Sequence, residues 1–517
     1  MSFKSYFNNF LIFQKFKNLN RIYFPKKKFK SKKKFLVEFN AFHDFHAIYS
    51  IVTNYINIKK KMNVEAFFNY SLLSAPLNFN FLNSIKWVFG KMLSLGFFGI
   101  YKSFNVNEIF KPKIKEKHVK LATSTFNKDF KLLKNKSDVL KIKVKNVIIG
   151  DLIYDTYLKS RNVPTLEIKS YDFQKFYSDF LKLTFFWFDY FKNNDVEGIV
   201  TSHTTYTYGL PLRIAINFGI SGYVFNSTGI LKINKNNIFG GMYGDYKNYH
   251  KRFVSFKKQF QRKAIKESFK IIKKKFSGQL VNFYYETKSS FGNVSKERFL
   301  KKNKKTKVMI CTHNFFDAVH IYGKGIFPDF YEWLNFLFKI SNNTNFDWYV
   351  KNHPSYSGKA QILQTRSNKV VKELLKDYPH IKLLPNNLSN RQIIEEGIDV
   401  VLTSHGTVAS EFPFFSVPVI NAAPNPHSGY TFSTTPRNIK QYKKLIKNLD
   451  KIKFKKKSKK EIYEYYFMSR ILNHRNWLTG DFDGLIKSVG SFYNLQSNNF
   501  YKFWLEHLDH KKKKYFI

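Results

Sequence analysis

The chain has 517 residues, with 88 Lys+Arg against 36 Asp+Glu and a formal net charge of +52, and it is 43% hydrophobic and 19% aromatic. That much apolar material excludes a disordered chain and suits on the order of two to four domains. One cysteine, Cys311, excludes an internal disulfide and a thiolate metal cluster.

Lys, Asn, Phe, Ile and Tyr are abundant together and all have A/T-rich codons, so composition bias accounts for much of the charge and we expect no nucleic-acid partner. A surface this basic still attracts phosphates, on sugar nucleotides or on anionic lipid. The lysine runs at 26–34, 455–460 and 511–514 read as solvated tails and linkers. No segment reaches the roughly 18 to 20 uninterrupted apolar residues of a membrane-spanning helix. Residues 81–101 come nearest, but Lys86 and Lys91 interrupt them, which predicts a helix on a core or on a membrane surface. The short apolar patch at 10–13 lacks a long hydrophobic region and a cleavage site. The expectation is a cytoplasmic protein, with peripheral contact at the inner face of an anionic membrane.

In chain order, residues 1–34 read as a basic arm or peripheral anchor. A first α/β lobe follows over 35–300, with strands at 35–39 (FLVEF), 64–70, 146–149 and 198–201, each leading into a helical pattern. Residues 173–192 are aromatic enough for a core helix, and 249–275 read as a long basic connector. The charged stretch 301–307 reads as a linker. A second lobe over 305–455 alternates strands at 308–312, 347–351, 381–384, 399–403 and 418–421 with helices at 328–341, 360–377, 389–396, 408–415 and 439–449. Residues 456–517 form a helical, basic tail. Buried strands alternating with helices predict parallel, doubly wound sheets, two Rossmann-like lobes facing a cleft, with functional residues in the strand-to-helix loops.

Chemistry-bearing residues fall in those loops. After the strand at 347–351 come Asn352, His353 and Pro354, where the proline presents the imidazole at a strand end for a nucleotide phosphate oxygen; an ordinary loop histidine reads the same way. After 399–403 come Ser404, His405, Gly406 and Thr407, then Glu411. Amides and hydroxyls there suit an anion, and Glu411 a ribose or base. The alternative is Thr407 as a simple cap and Glu411 as a first-turn acid. The loop from His313 to Gly325 offers His313 and Lys324 to phosphate oxygens, without forming a Walker loop. In the first lobe His43, Asp44, His46 and His203 are candidate bases for an acceptor hydroxyl. A metal site at His43, Asp44 and His46 lacks a matching ligand cluster, so none is expected. Glu395 and Glu396 precede Gly397, which reads as the glycine that stops a helix.

His353-Pro354 after one strand and Ser404-His405-Gly406-Thr407 with Glu411 after a later one resemble the nucleotide-binding lobe of GT-B glycosyltransferases. The likeness is to bacterial capsule and surface polysaccharide enzymes, including Kdo transferases, His-Pro-motif sialyltransferases and CDP-polyol phosphotransferases. It is carried by residues 329–420, and the block from Ser202 to Arg213 resembles one in surface-carbohydrate proteins. The resemblance implies that His353, Pro354, Ser404, Gly406 and Thr407 hold the phosphate of a nucleotide-sugar donor, a CMP-sugar favoured, with no permanent cofactor and no metal. It implies a glycan or lipid-linked acceptor. The alternatives are a CDP-polyol phosphotransferase and a non-catalytic polysaccharide- or nucleic-acid-binding protein. The acidic pair with glycine that supplies the sialyltransferase base belongs ahead of His-Pro, whereas 395–397 follows it, so the base stays open.

Overall fold

The computed structural model describes residues 3–24, 31–70, 73, 80–226, 229–279, 289–292, 294–353, 359–452, 454, 458–472, 500, 501 and 504. Two compact units divide the chain, one built on Met1–Ser160 and Ile168–Met242, the other on Arg161–Glu167 and Tyr243–His474; Tyr501 belongs with the first.

The first unit carries strands β1 (Lys34–Phe39), β2 (Asn63–Phe68), β3 (Val106–Phe110), β4 (Lys143–Val144), β5 (Val147–Ile148), β6 (Val196–Thr201), β7 (Ser221–Asn226) and β8 (Gly229–Ile233). Its main sheet runs β3-β2-β1-β6-β7-β8, parallel except where β8 returns antiparallel to β7. β1 is central, and Leu36 and Val37 are fully buried, because helices packed on both faces favour an apolar run over alternation. The second unit carries β9 (Lys307–Cys311), β10 (Asp347–Lys351), β11 (Lys382–Leu383), β12 (Val400–Thr403) and β13 (Val419–Asn421). They form an all-parallel sheet in the order β11-β10-β9-β12-β13. In both units the chain steps outward from the first strand and then returns to its other side. The doubly wound α/β architecture is therefore present twice, with a topological switch point at β1/β6 and another at β9/β12.

The second unit follows the sequence reading closely. Its helices Phe330–Ser341 and Asn390–Glu395 begin at Asp329 and Ser389, whose side chains accept from the backbone N–H of Glu332 and Arg391. Gly397 ends the latter with φ +88°, the left-handed conformation that glycine adopts without strain.

The first unit departs from expectation in several places. Residues 1–34 hold a helix, α1 (Phe3–Tyr23), with Phe16 and Phe24 buried and Asn20 Nδ2 donating to Ser103 Oγ at 3.0 Å. The strand expected at 146–149 is only β5, paired in a hairpin with β4 outside the main sheet. Its place is taken by β3, an edge strand with two consecutive exposed residues and so no run or alternation to reveal it. Helix α2 (His43–Lys60) starts several residues early, so His43, Asp44 and His46 lie in its first turns and not in a loop. The linker expected at 301–307 is no boundary. The helices Tyr249–Val254 and Lys258–Phe276 pack into the second unit, where Phe253 and Ile272 share an aromatic core with Tyr430, Tyr465 and Phe467.

Candidate functional site

Register places Cys311, Lys351, Thr403 and Asn421 side by side at the carboxyl edge of the second sheet. The residues after them therefore emerge together: His313 after β9, His353 after β10 and 404–407 after β12. His313 crosses the switch point. Its Nε2 lies 3.0 Å from Thr403 Oγ1 and accepts from the amides of Ser404 and His405 at 3.3 Å each. Thr403 Oγ1 in turn accepts from the Gly406 amide at 3.1 Å. A Cβ at Gly406 would stand 2.7 Å from that hydroxyl oxygen and would force it to shift.

The imidazoles of His313, His405 and His427 are neutral. Burial, with His405 and His353 close by, holds His313 well below its ordinary range. Burial, with His320 and His353 nearby, brings His405 down to about 4, and burial next to His405 brings His427 to about 3. The His405 ring stands 4.7 Å from that of His313, and its Nδ1 is sealed from solvent without a hydrogen bond among the described residues. His353 is half-buried, with its N–H donating to Thr312 Oγ1 at 3.3 Å. Lys324 and Thr407 are exposed, Ser404 is buried, and Pro354 lies outside the described residues. His320 lies in the His313–Gly325 loop read from sequence, where only His313 and Lys324 were chosen; His427 was not singled out, and only the tertiary fold brings it beside His405.

Two expectations need correcting here. The amides of Ser404, His405 and Gly406 do not form an open cradle, because His313 and Thr403 already accept from them, and the following helix, Val408–Glu411, is a single turn. Glu411 is not turned to a ribose. Its Oε1 accepts from Lys275 Nζ at 2.7 Å and its Oε2 from Asn390 Nδ2 at 3.3 Å. Asn390 Oδ1 accepts from Lys351 Nζ at 2.5 Å, and burial brings that ammonium down to about 8. Buried ions persist only when paired and hydrogen-bonded, which this chain of contacts supplies beneath the site. Cys311 is buried and its thiol is pushed up to about 12, so it is no nucleophile.

In the first unit the corresponding edge centres on Glu38, one residue before the end of β1. It is fully buried, its Oε2 accepts from the Ser202 amide at 2.7 Å across the switch point, and burial raises its carboxyl to about 7. An acid inside the apolar run FLVEF was the available signal for it. His46 is a core residue here, contrary to expectation. It is fully buried, Nε2 bonds the Asn40 carbonyl at 2.8 Å, Nδ1 bonds the Tyr501 hydroxyl, and burial with His43 nearby brings it to about 3. Both ring nitrogens are thus engaged. Asp44 is buried at 2% exposure. His203 is the exposed member of the set. Among the described residues no group of three or more His, Cys, Asp or Glu is placed to hold a metal ion, and no described helix is long and apolar enough to cross a membrane.

No protein-family profile matches the chain, and no curated protein matches it. Solved structures similar to it include KpsC, a β-Kdo 2,4 transferase of Thermosulfurimonas dismutans, at 10% identity and TM-score 0.34 over 52% of this chain and 79% of that one. UDP-GlcNAc 2-epimerase of Neisseria meningitidis aligns at 9% identity and TM-score 0.20 over 92% and 100%. The wall teichoic acid polymerase TagF aligns at 10% and 0.19 over 98% and 95%. At such scores the likenesses carry no argument, and the fold rests on the sheet topology described above.

Proposed function

We propose that the chain is a glycosyltransferase that moves a sugar from a nucleotide-activated donor, a CMP-sugar in preference to others, to a surface polysaccharide or lipid-linked acceptor. The observation that carries this reading is the meeting of His353, His313 and His405 with the 403–407 turn at a switch point, where open α/β sheets bind ligands. Neutral imidazoles donate hydrogen bonds to a phosphate without the desolvation cost of buried cations. When a phosphate oxygen replaces His313 Nε2 as the acceptor of the Ser404 and His405 amides, the ring is free to take a proton. Negative charge developing on the leaving phosphate raises imidazole pKa values and is stabilised by the protons they gain. The acceptor hydroxyl gives up its proton to a general base as its bond to the sugar forms. The reading assigns no role to a metal ion.

Calorimetry with CMP and CMP-sugars at pH 8 and pH 6 tests it. Binding should tighten at pH 6 with net proton uptake, and His353→Ala should lower turnover by about a hundredfold while circular dichroism stays unchanged. A phosphodiester product would instead identify a CDP-polyol phosphotransferase. Absence of binding to every nucleotide would favour a non-catalytic binding protein.

A further inference from the structure

Residues 81–101, expected as one helix, are two: α3 (Phe81–Met92) and α4 (Gly96–Ser103). In α3 the usual arrangement of an amphipathic helix is turned over. Phe81, Leu82, Ile85, Val88, Phe89 and Met92 recur at the spacing of one helical face, and that face points to solvent, with Phe81 78%, Leu82 64% and Met92 63% exposed. The inner face holds Trp87, whose ring packs on Phe39, Phe68 and Phe98, and the buried Gly90, where a Cβ would stand 2.8 Å from the Phe98 ring. Among the described residues Trp87, the close approach at Gly90 and an ion pair of Lys91 with Glu108 anchor the helix, and its apolar stripe is exposed. Leu93 and Leu95, 57% and 54% exposed, extend it.

We infer that α3 is a membrane-docking helix that lies in the plane of an anionic bilayer with its apolar stripe among the acyl chains. This inference does not depend on the transferase reading. Three observations select lipid over a protein. The stripe is the convex face of a single helix, not a groove that would receive a partner's side chains. Between Glu65 and Glu108 the chain contains no acidic residue, while Lys86 is exposed at the margin of the stripe, where an ammonium reaches headgroup phosphates. A second copy of a chain of net charge +52 would bring like charge against like charge at this face. The helix has 12 residues and at 1.5 Å per residue measures about 18 Å, too short to cross a hydrocarbon core of about 30 Å. It therefore sits on the surface.

The test is flotation of the full chain with phosphatidylcholine vesicles and with phosphatidylcholine/phosphatidylglycerol vesicles. We expect flotation with the anionic vesicles, at least tenfold weaker for Leu82→Asp combined with Met92→Asp. Leu132→Asp, a change at another exposed leucine of the same unit, should leave it unaltered. A nitrobenzoxadiazole fluorophore on the thiol of Val88→Cys should shift to the blue when those vesicles are added. No flotation, equal flotation of the double variant, or an unshifted fluorophore overturns the inference. So does a dimer in light scattering that the double variant dissolves, which would give the face to a second copy.

Discussion

Glu38, inside β1, and His313, two residues past β9, stand near the carboxyl ends of the central strands of two sheets that share the order of five parallel strands, and they meet the same backbone feature with opposite chemistry. Each reaches across a switch point to an amide just past the next strand, Glu38 to Ser202 at 2.7 Å and His313 to Ser404 at 3.3 Å. The doubly wound topology puts a donor amide there in both units. The side chain that meets it then decides the outcome. In the first unit the amide meets a sealed acid at short range; in the second it meets a neutral ring beside other histidines at longer range. The units also balance buried charge differently, since Glu411 has Lys275 as counter-ion while Glu38 keeps its own proton near neutral pH.

The largest expected effect comes from breaking that balance. Lys275→Met leaves Glu411 buried without its cation and should cost about 3–5 kcal/mol in urea unfolding. Next is Glu38→Gln. The folded carboxyl titrates near 7 against a usual value of 4.5, so between those values the native state holds more protons than the unfolded one and stability falls as pH rises. Removing the charge should stabilise the protein by about 3 kcal/mol above pH 7, an advantage that disappears below pH 4.5. His405 has the opposite slope. Its folded value of about 4 lies below the usual 6.5, so its contribution is complete above pH 6.5 and is lost as pH falls toward 4. His405→Gln should flatten that acid limb by about 3 kcal/mol, measured as melting temperature against pH. The smallest is Gly406→Ala. The Cβ contact with Thr403 predicts a loss of about 1 kcal/mol in urea unfolding.

Much of the second unit was legible in the sequence because its strands are short apolar runs separated by capped helices; Ser389 and Gly397 mark a helix start and stop on their own. The first unit was less so. β3 exposes two neighbouring residues at a sheet edge, and α2 takes in His43, Asp44 and His46, which read as residues of a strand-to-helix loop. At the candidate site, His353 and 404–407 were readable as strand-end residues. The occupation of the Ser404 and His405 amides by His313 was not, because that bond spans about ninety positions of chain.

The amino-acid sequence by itself determined the alternation of strands and helices through the second sheet and the residues delivered to its strand ends, since these follow from local periodicity, caps and breakers. Only the tertiary structure decided that His46 is sealed, that Glu411 is tied to Lys275, and that α3 turns its apolar face outward. Periodicity reveals that a helix has two faces, but which of them meets the core depends on neighbours contributed by distant parts of the chain, here Phe39, Phe68 and Phe98 around Trp87.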